Sequence, residues 1–150
     1  MARKDLLFYN VKNLKYAVRT APKTYSAPVS LAYASGINLE SDFNETKLYG
    51  DGEVTAVIAD DKGLTGGIIV TSIEDDYEIA CKRAMLDSNG NLITIQQKST
   101  IHHAIYYETD YLEEGVNKTA KFWLLNLTTG KASESYQQTE EDPTINTYEY

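Results

Sequence analysis

Few side chains in this 150-residue sequence could carry chemistry, and their spacing argues against each in turn. His102 and His103 are adjacent. In a strand they point to opposite faces and cannot converge on one ion, so one inward and one outward histidine is expected. Asp60-Asp61 could ligate a cation, but followed by Lys62-Gly63 it reads better as turn chemistry. Glu74-Asp75-Asp76 gathers three carboxylates, and the positive end of a helix dipole accounts for them. The single cysteine, Cys81, excludes a disulfide framework and a cysteine-rich zinc site, and its apolar neighbours mark it as a small core residue. No nucleophile elbow, zinc-protease, phosphate-loop, dinucleotide or EF-hand spacing occurs. The expectation is a protein without catalytic residues, metal or cofactor.

The elements that would position these residues are mostly strands. Glu53-Val54-Thr55-Ala56-Val57-Ile58-Ala59 and Leu64-Thr65-Gly66-Gly67-Ile68-Ile69-Val70-Thr71 are β-branched runs separated by a turn signal at 60–63. Gly66-Gly67 inside a strand suggests a bulge or a close backbone approach. Asn89-Gly90 is a strong hairpin cue before the run 91–97. Further strands are expected over 100–109, 119–127 and 131–137, the last two joined by Thr128-Thr129-Gly130. One segment keeps helical period instead: Ile73, Tyr77, Ala80, Cys81 and Ala84 share a face. With Ser72 as N-cap and Lys82 and Arg83 near the end, a helix over about 73–86 is expected. The fold class is therefore mainly β: an antiparallel β-sandwich or partly open barrel in a single domain, with one flanking helix.

Charge is spread unevenly. The chain carries a formal −8, yet residues 1–31 hold six bases against Asp5, and residues 132–150 hold five acids and no base. An acidic body disfavours sequence-independent nucleic-acid binding. No apolar stretch approaches the roughly 18 residues that cross a bilayer, and the N-terminal apolar run is too short for a secretion signal. A cytosolic site of synthesis is expected. Three segments look unlike packed sheet: a basic arm at 1–12, a polar loop at 41–52 and an acidic arm at 138–150 that ends in alternating tyrosines. Basic arm, acidic body, long loop and strand-like tail are features that a head-to-tail homopolymer would use.

The order of these features sharpens the reading. Val11-Lys12-Asn13-Leu14-Lys15-Tyr16-Ala17 leads to Thr24-Tyr25-Ser26-Ala27-Pro28-Val29 and Gly36-Ile37-Asn38-Leu39-Glu40. A loop follows, ending Lys47-Leu48-Tyr49-Gly50-Asp51-Gly52, then Leu64-Thr65-Gly66-Gly67-Ile68 and Ile73-Glu74-Asp75-Asp76-Tyr77. This succession resembles the major tail (tail-tube) proteins of long non-contractile-tailed phages and prophages of Gram-positive bacteria, most closely over residues 11–78. The resemblance implies a structural virion protein, made in the bacterial cytoplasm, whose hexameric rings stack into a tube that conducts DNA. Its partners would be further copies of itself and other tail proteins (tape measure, tail terminator, distal tail), with no membrane. The loop at 41–52 would be the stacking loop, with Phe43, Leu48, Tyr49 and Asp51 at contacts. Arg3, Lys4 and Lys12 would serve the N-terminal arm, and Tyr148 and Tyr150 the C-terminal arm.

A tube that conducts DNA needs a wall that repels phosphate, and Glu40, Glu53, Glu108 and Asp110, on or beside strands, are the candidate lumen acids. A second reading, from a different class, is a small carbohydrate-type binding module that uses Tyr106, Tyr107 and Tyr111 as an aromatic platform.

Overall fold

A computed structural model describes residues 7–132 and 148–150. The strands run β1 (Leu7–Ala21), β2 (Thr24–Tyr25), β3 (Val29–Ser30), β4 (Ala34–Gly50) and β5 (Glu53–Val70). The helix α1 (Asp75–Ala80) precedes β6 (Ala84–Leu86), β7 (Leu92–Thr94), β8 (His103–Glu113), β9 (Val116–Leu127) and β10 (Tyr148–Glu149). Among the described residues the molecule is mainly antiparallel β with one short helix, as the strand patterning predicts. The order β2-β1-β8-β9, with β3 also on β1, forms a sheet curled into half a barrel. A second sheet, β10-β5-β4, packs its base against it.

The curl has a local cause. The register between β1 and β8 slips on either side of Lys12, and Asn10 and Asn13 adopt φ of 58° and 52° there. Asparagine tolerates this left-handed backbone, and the resulting bulges bend the strand. Residues 7–12, expected as part of a free arm, are thus the first part of β1, paired with the far end of β8. Arg3 and Lys4 lie outside the described residues.

Between the sheets sits the core: Leu14 and Tyr16 from β1, Ile68 and Val70 from β5, Ile105 from β8, and Tyr77 and Cys81 from the helical segment. Gly66 and Gly67 allow the close approach their pairing suggested. A Cβ on Gly66 would collide with the backbone of Asn38, and one on Gly67 with the side chain of Glu149.

The helix is shorter than its period implies. It ends at Ala80 because Lys82 turns left-handed (φ 56°) and closes the last turn, its N–H bonding the Ile79 carbonyl while that of Arg83 bonds the Glu78 carbonyl. This is the paired-bond stop that glycine usually makes, here made by lysine. Ala84 still faces inward, from β6 and not from a third helical turn. The N-cap is Glu74, without a side-chain cap bond; Ser72, expected there, reaches the Glu74 carboxylate instead. The Asn89-Gly90 hairpin forms, with 84–86 as its first strand. β9 pairs with β8 through Glu114-Gly115, and the chain carries no strand from Thr128 to Ala132; most of the strand expected over 131–137 lies outside the described residues.

Arg83 explains where that chain goes. Its guanidinium is almost fully buried and holds Glu78 in a two-pronged ion pair, Nε to Oε2 at 3.1 Å and Nη2 to Oε1 at 3.0 Å. Nη1 bonds the carbonyls of Thr129 (2.9 Å) and Gly130 (2.7 Å). The rings of Tyr77 and Tyr150 each lie 5.3 Å from its centre. Removing one partner of such a pair leaves an uncompensated buried charge, at about 3–5 kcal/mol. Arg83→Met should therefore lower the unfolding free energy by that much, read as a lower urea midpoint at constant slope, whereas Arg83→Met with Glu78→Leu should recover most of the loss. A single variant costing less than about 1 kcal/mol would mean that the pair is dispensable.

Candidate assembly surface

The segment expected as an irregular loop at 41–52 is instead the outer part of the β4–β5 hairpin. Pairing is continuous from Ala34↔Val70 to Gly50↔Glu53, apart from local register slips. The tip, Asp51-Gly52, has φ of 52° and 82°, the doubly left-handed turn that Asp-Gly favours because it matches strand twist. The turn signal at 60–63 is a bulge inside β5: Gly63 takes φ 89° and its N–H bonds the Asp61 carboxylate at 2.9 Å. A strand composition rich in Asn, Glu, Lys and Thr hid the hairpin, since neither face is buried and no alternation results.

Beyond the bulge the hairpin stands clear of the body. Among described residues from 43 to 64, all are exposed except Gly50, which is half-buried. Seven steps of about 3.4 Å carry the ribbon roughly 25 Å from Phe43 to its tip. Its apolar side chains lie on both faces. Register places Phe43 with Val57 on one side, and Leu48 with Ile58 on the other. Phe43 is 50% exposed, Ile58 56% and Tyr49 70%. Each would gain about 1 kcal/mol from burying the half it now shows to water. An isolated two-stranded ribbon is marginal in water, and open edges with apolar faces invite a second chain.

The other expected site residues fall elsewhere. Glu40 and Glu53 are exposed on the hairpin, whose strands and turn hold seven carboxylates against two lysines. Glu108 and Asp110 lie on the outer face of β8, where β1 compensates them. Lys12 Nζ meets Asp110 at 2.6 Å, Asn10 and Thr119 also donate to Asp110, and Asn13 donates to Glu108 at 2.7 Å. Hydrogen bonds from Tyr106, then Asn13, lower the pKa of Glu108; those from Lys12, then Asn10, lower that of Asp110. The Glu108 bond pushes the Tyr106 hydroxyl up to about 12. Lys12 is thus engaged within its own chain, and the four acids do not form one row. Tyr148 and Tyr150 also return to their own body: Tyr148 pairs with Val70, and Tyr150 stacks edge-on against Tyr77.

The tyrosine platform is split. Tyr106 faces outward beside Trp123 (4.9 Å between ring centres), while Tyr107 faces the inner side and stacks on Phe122, and Tyr111 lies with Phe8. Trp123 stands at the rim of a groove of about 650 Å³ between β5 and β9. His103 is buried and His102 exposed, as their adjacency predicts, and Cys81 is buried in the core with its pKa raised by burial. Among the described residues there is no group of three or more potential metal ligands and no helix long and apolar enough to cross a membrane. No family model, curated protein or solved structure matches the chain.

If the hairpin carries no packing within its own chain, Phe43→Ser and Ile58→Thr should each change stability by no more than about 0.5 kcal/mol. Ile105→Ala, in the core, should cost about 2–5 kcal/mol. Denaturant melts of dilute protein check both; a large loss from Phe43→Ser would show that the hairpin rests on its own body.

Proposed function

We propose that this chain is a self-assembling structural subunit, the tube protein of a long non-contractile phage tail, whose stacked hexameric rings conduct DNA. The observation that carries this reading is the β4–β5 hairpin, a long ribbon with exposed apolar side chains on both faces and edges that no described strand covers beyond β10. A hairpin laid on its own body would bury one face. One that shows both is suited to lie between neighbouring copies, where Phe43, Leu48 and Tyr49 would supply the apolar anchors. The order of sequence motifs over 11–78 supports the same role. The hairpin's excess of carboxylates would repel phosphate, so DNA could pass without counterion-release binding. Other tail proteins would cap and fill the tube, and the working location is the virion.

The register also says how to remove the contact without destroying the fold. Cutting only 41–52 would strip β4 from β5. Excising 45–59 and closing the Asn44↔Asp60 pair with Asn-Gly shortens both strands equally. Electron microscopy and sedimentation of concentrated full-length protein should show rings or tubes, and the shortened variant should remain a folded monomer. A wild-type chain that stays monomeric at millimolar concentration, even with other tail proteins supplied, contradicts the proposal.

The second reading, a carbohydrate-type module, rests on Trp123 beside Tyr106 at the groove rim. Trp123 is the only tryptophan, so quenching of its fluorescence by oligosaccharides, in a protein that does not assemble, would favour it.

A further inference from the structure

His103 is a buried titratable group that the assembly surface does not use. Its ring nitrogens have fixed roles. Nδ1 lies 2.9 Å from the carbonyl oxygen of Ile101, which can only accept, so Nδ1 carries the proton of the neutral ring. Nε2 must then accept, and its partner at 2.8 Å is the Tyr77 hydroxyl. Having donated to His103, that hydroxyl accepts from Thr129 Oγ1 at 2.7 Å, and Thr129 Oγ1 in turn accepts from Arg83 Nη1 at 3.0 Å. The hydrogen bonds therefore run one way, Arg83 to Thr129 to Tyr77 to His103 to Ile101.

We infer that this chain is an acid-sensitive latch: a proton on His103 breaks the Tyr77–Thr129 bond and loosens the strand Tyr148–Glu149 with Tyr150, while the half-barrel sheet stays folded. A protonated Nε2 becomes a donor aimed at the Tyr77 hydroxyl. Tyr77 must then turn its proton toward Thr129 Oγ1, which already accepts from Arg83 and whose own proton loses its acceptor. Among the described residues the second positive charge has no free counter-ion beside it. From α1, Glu78 faces the cluster but is held by both prongs of Arg83, and the Tyr77 hydroxyl and Cys81 thiol, both raised by burial, are neutral. Arg83 itself is cationic, His102 is the neighbouring titratable group, and Tyr150 on the C-terminal strand is a neutral phenol. Breaking the Tyr77–Thr129 bond relieves the conflict. It takes one hydrogen bond from the segment after β9, whose Thr129 and Gly130 carbonyls stay on Arg83 Nη1, and, through the Tyr77–Arg83–Tyr150 stack, loosens β10.

Burial first, and then Arg83 and His102, lower the pKa of His103 below its ordinary 6.5, against the raising effect of the Ile101 carbonyl. The closed state thus binds this proton less readily than the released state. Above pH 6.5 both are neutral and the latch is at full strength; as pH falls below 6.5 the released state gains. The paired carboxylates Glu108 and Asp110 titrate below their ordinary 4.5 and 3.8, so they do not contribute between pH 7 and 5.

The test is amide hydrogen exchange of the full chain, expressed as protection factors, from pH 7.5 to 5. The reporters are Ile68 and Tyr150, which bond each other's carbonyls, against the β1–β8 ladder around Ala17↔Ala104. Protection at Ile68 and Tyr150 should fall by about tenfold for each unit that the His103 pKa is lowered, with the ladder unchanged. His103→Gln should abolish the fall and His102→Gln should keep it. Equal loss at reporters and ladder, no loss at the reporters, or an unaltered response in His103→Gln would each overturn the latch. Should His103→Gln not fold, the His103 ring resonances of the wild type decide the matter. Their midpoint must coincide with that of the protection loss, and a separate midpoint overturns the inference.

Discussion

A buried guanidinium must have acceptors for its donors, and in this molecule that requirement fixes the course of three separate segments. Arg83 takes its carboxylate from α1, its carbonyls from Thr129 and Gly130 beyond β9, and its aromatic faces from Tyr77 and Tyr150. A third helical turn would carry Arg83 along α1 and away from that segment, so the helix must stop where Lys82 stops it. With the Thr129 and Gly130 carbonyls on Arg83, the chain leaves the β9 ladder after Leu127. The C-terminal strand returns to β5 where Tyr150 can cover the same cation. The local departures from sequence pattern follow from one desolvation problem.

Because the core closes around that cluster, the outer hairpin is free to project. Ile37, Ile68 and Val70 seal its base, and no described side chain beyond the bulge at 60–63 contributes to the packed interior. The bulge separates the two regimes: on one side β5 is a core strand, on the other a ribbon with both faces wet. The division separates the residues that set stability from those of the exposed ribbon, so that the hairpin can change sequence at little cost to the fold.

What the sequence made legible follows the same division. Strand class, the close approach at Gly66-Gly67, the split of His102 and His103 and the burial of Cys81 all arise from burial or sterics, which leave marks in residue type. The helix end was invisible because a lysine, not a glycine, takes the left-handed position. The curl of β1 could have been suspected from Asn10 and Asn13, spaced three apart, but asparagine marks turns as readily as bulges. Glu78 and Arg83 sit five apart, off the usual helical pairing distance, and only the tertiary turn after Cys81 brings them together. Asp51-Gly52 carries a hairpin cue, but in sequence it reads only as the end of a polar loop. The strands on either side did not show, since a ribbon exposed on both faces has no period to detect.

The charge distribution sets a condition on any assembly built from this surface. Along β4 and β5 the carboxylates and the apolar side chains share the same faces: Phe43 with Glu45 and Asp61 on one, Asp60 with Ile58 on the other. Two identical hairpins laid face to face would bury apolar area and like charge together, and the second would offset much of the first. The acids of β8 show the alternative, since Lys12 of β1 pairs with Asp110 while Asn10 and Asn13 donate hydrogen bonds to Asp110 and Glu108 strand against strand. A hairpin meeting a different, cation-bearing face of the next copy satisfies both demands. Such a contact is heterologous, and heterologous contacts build rings and tubes where self-complementary ones build closed pairs.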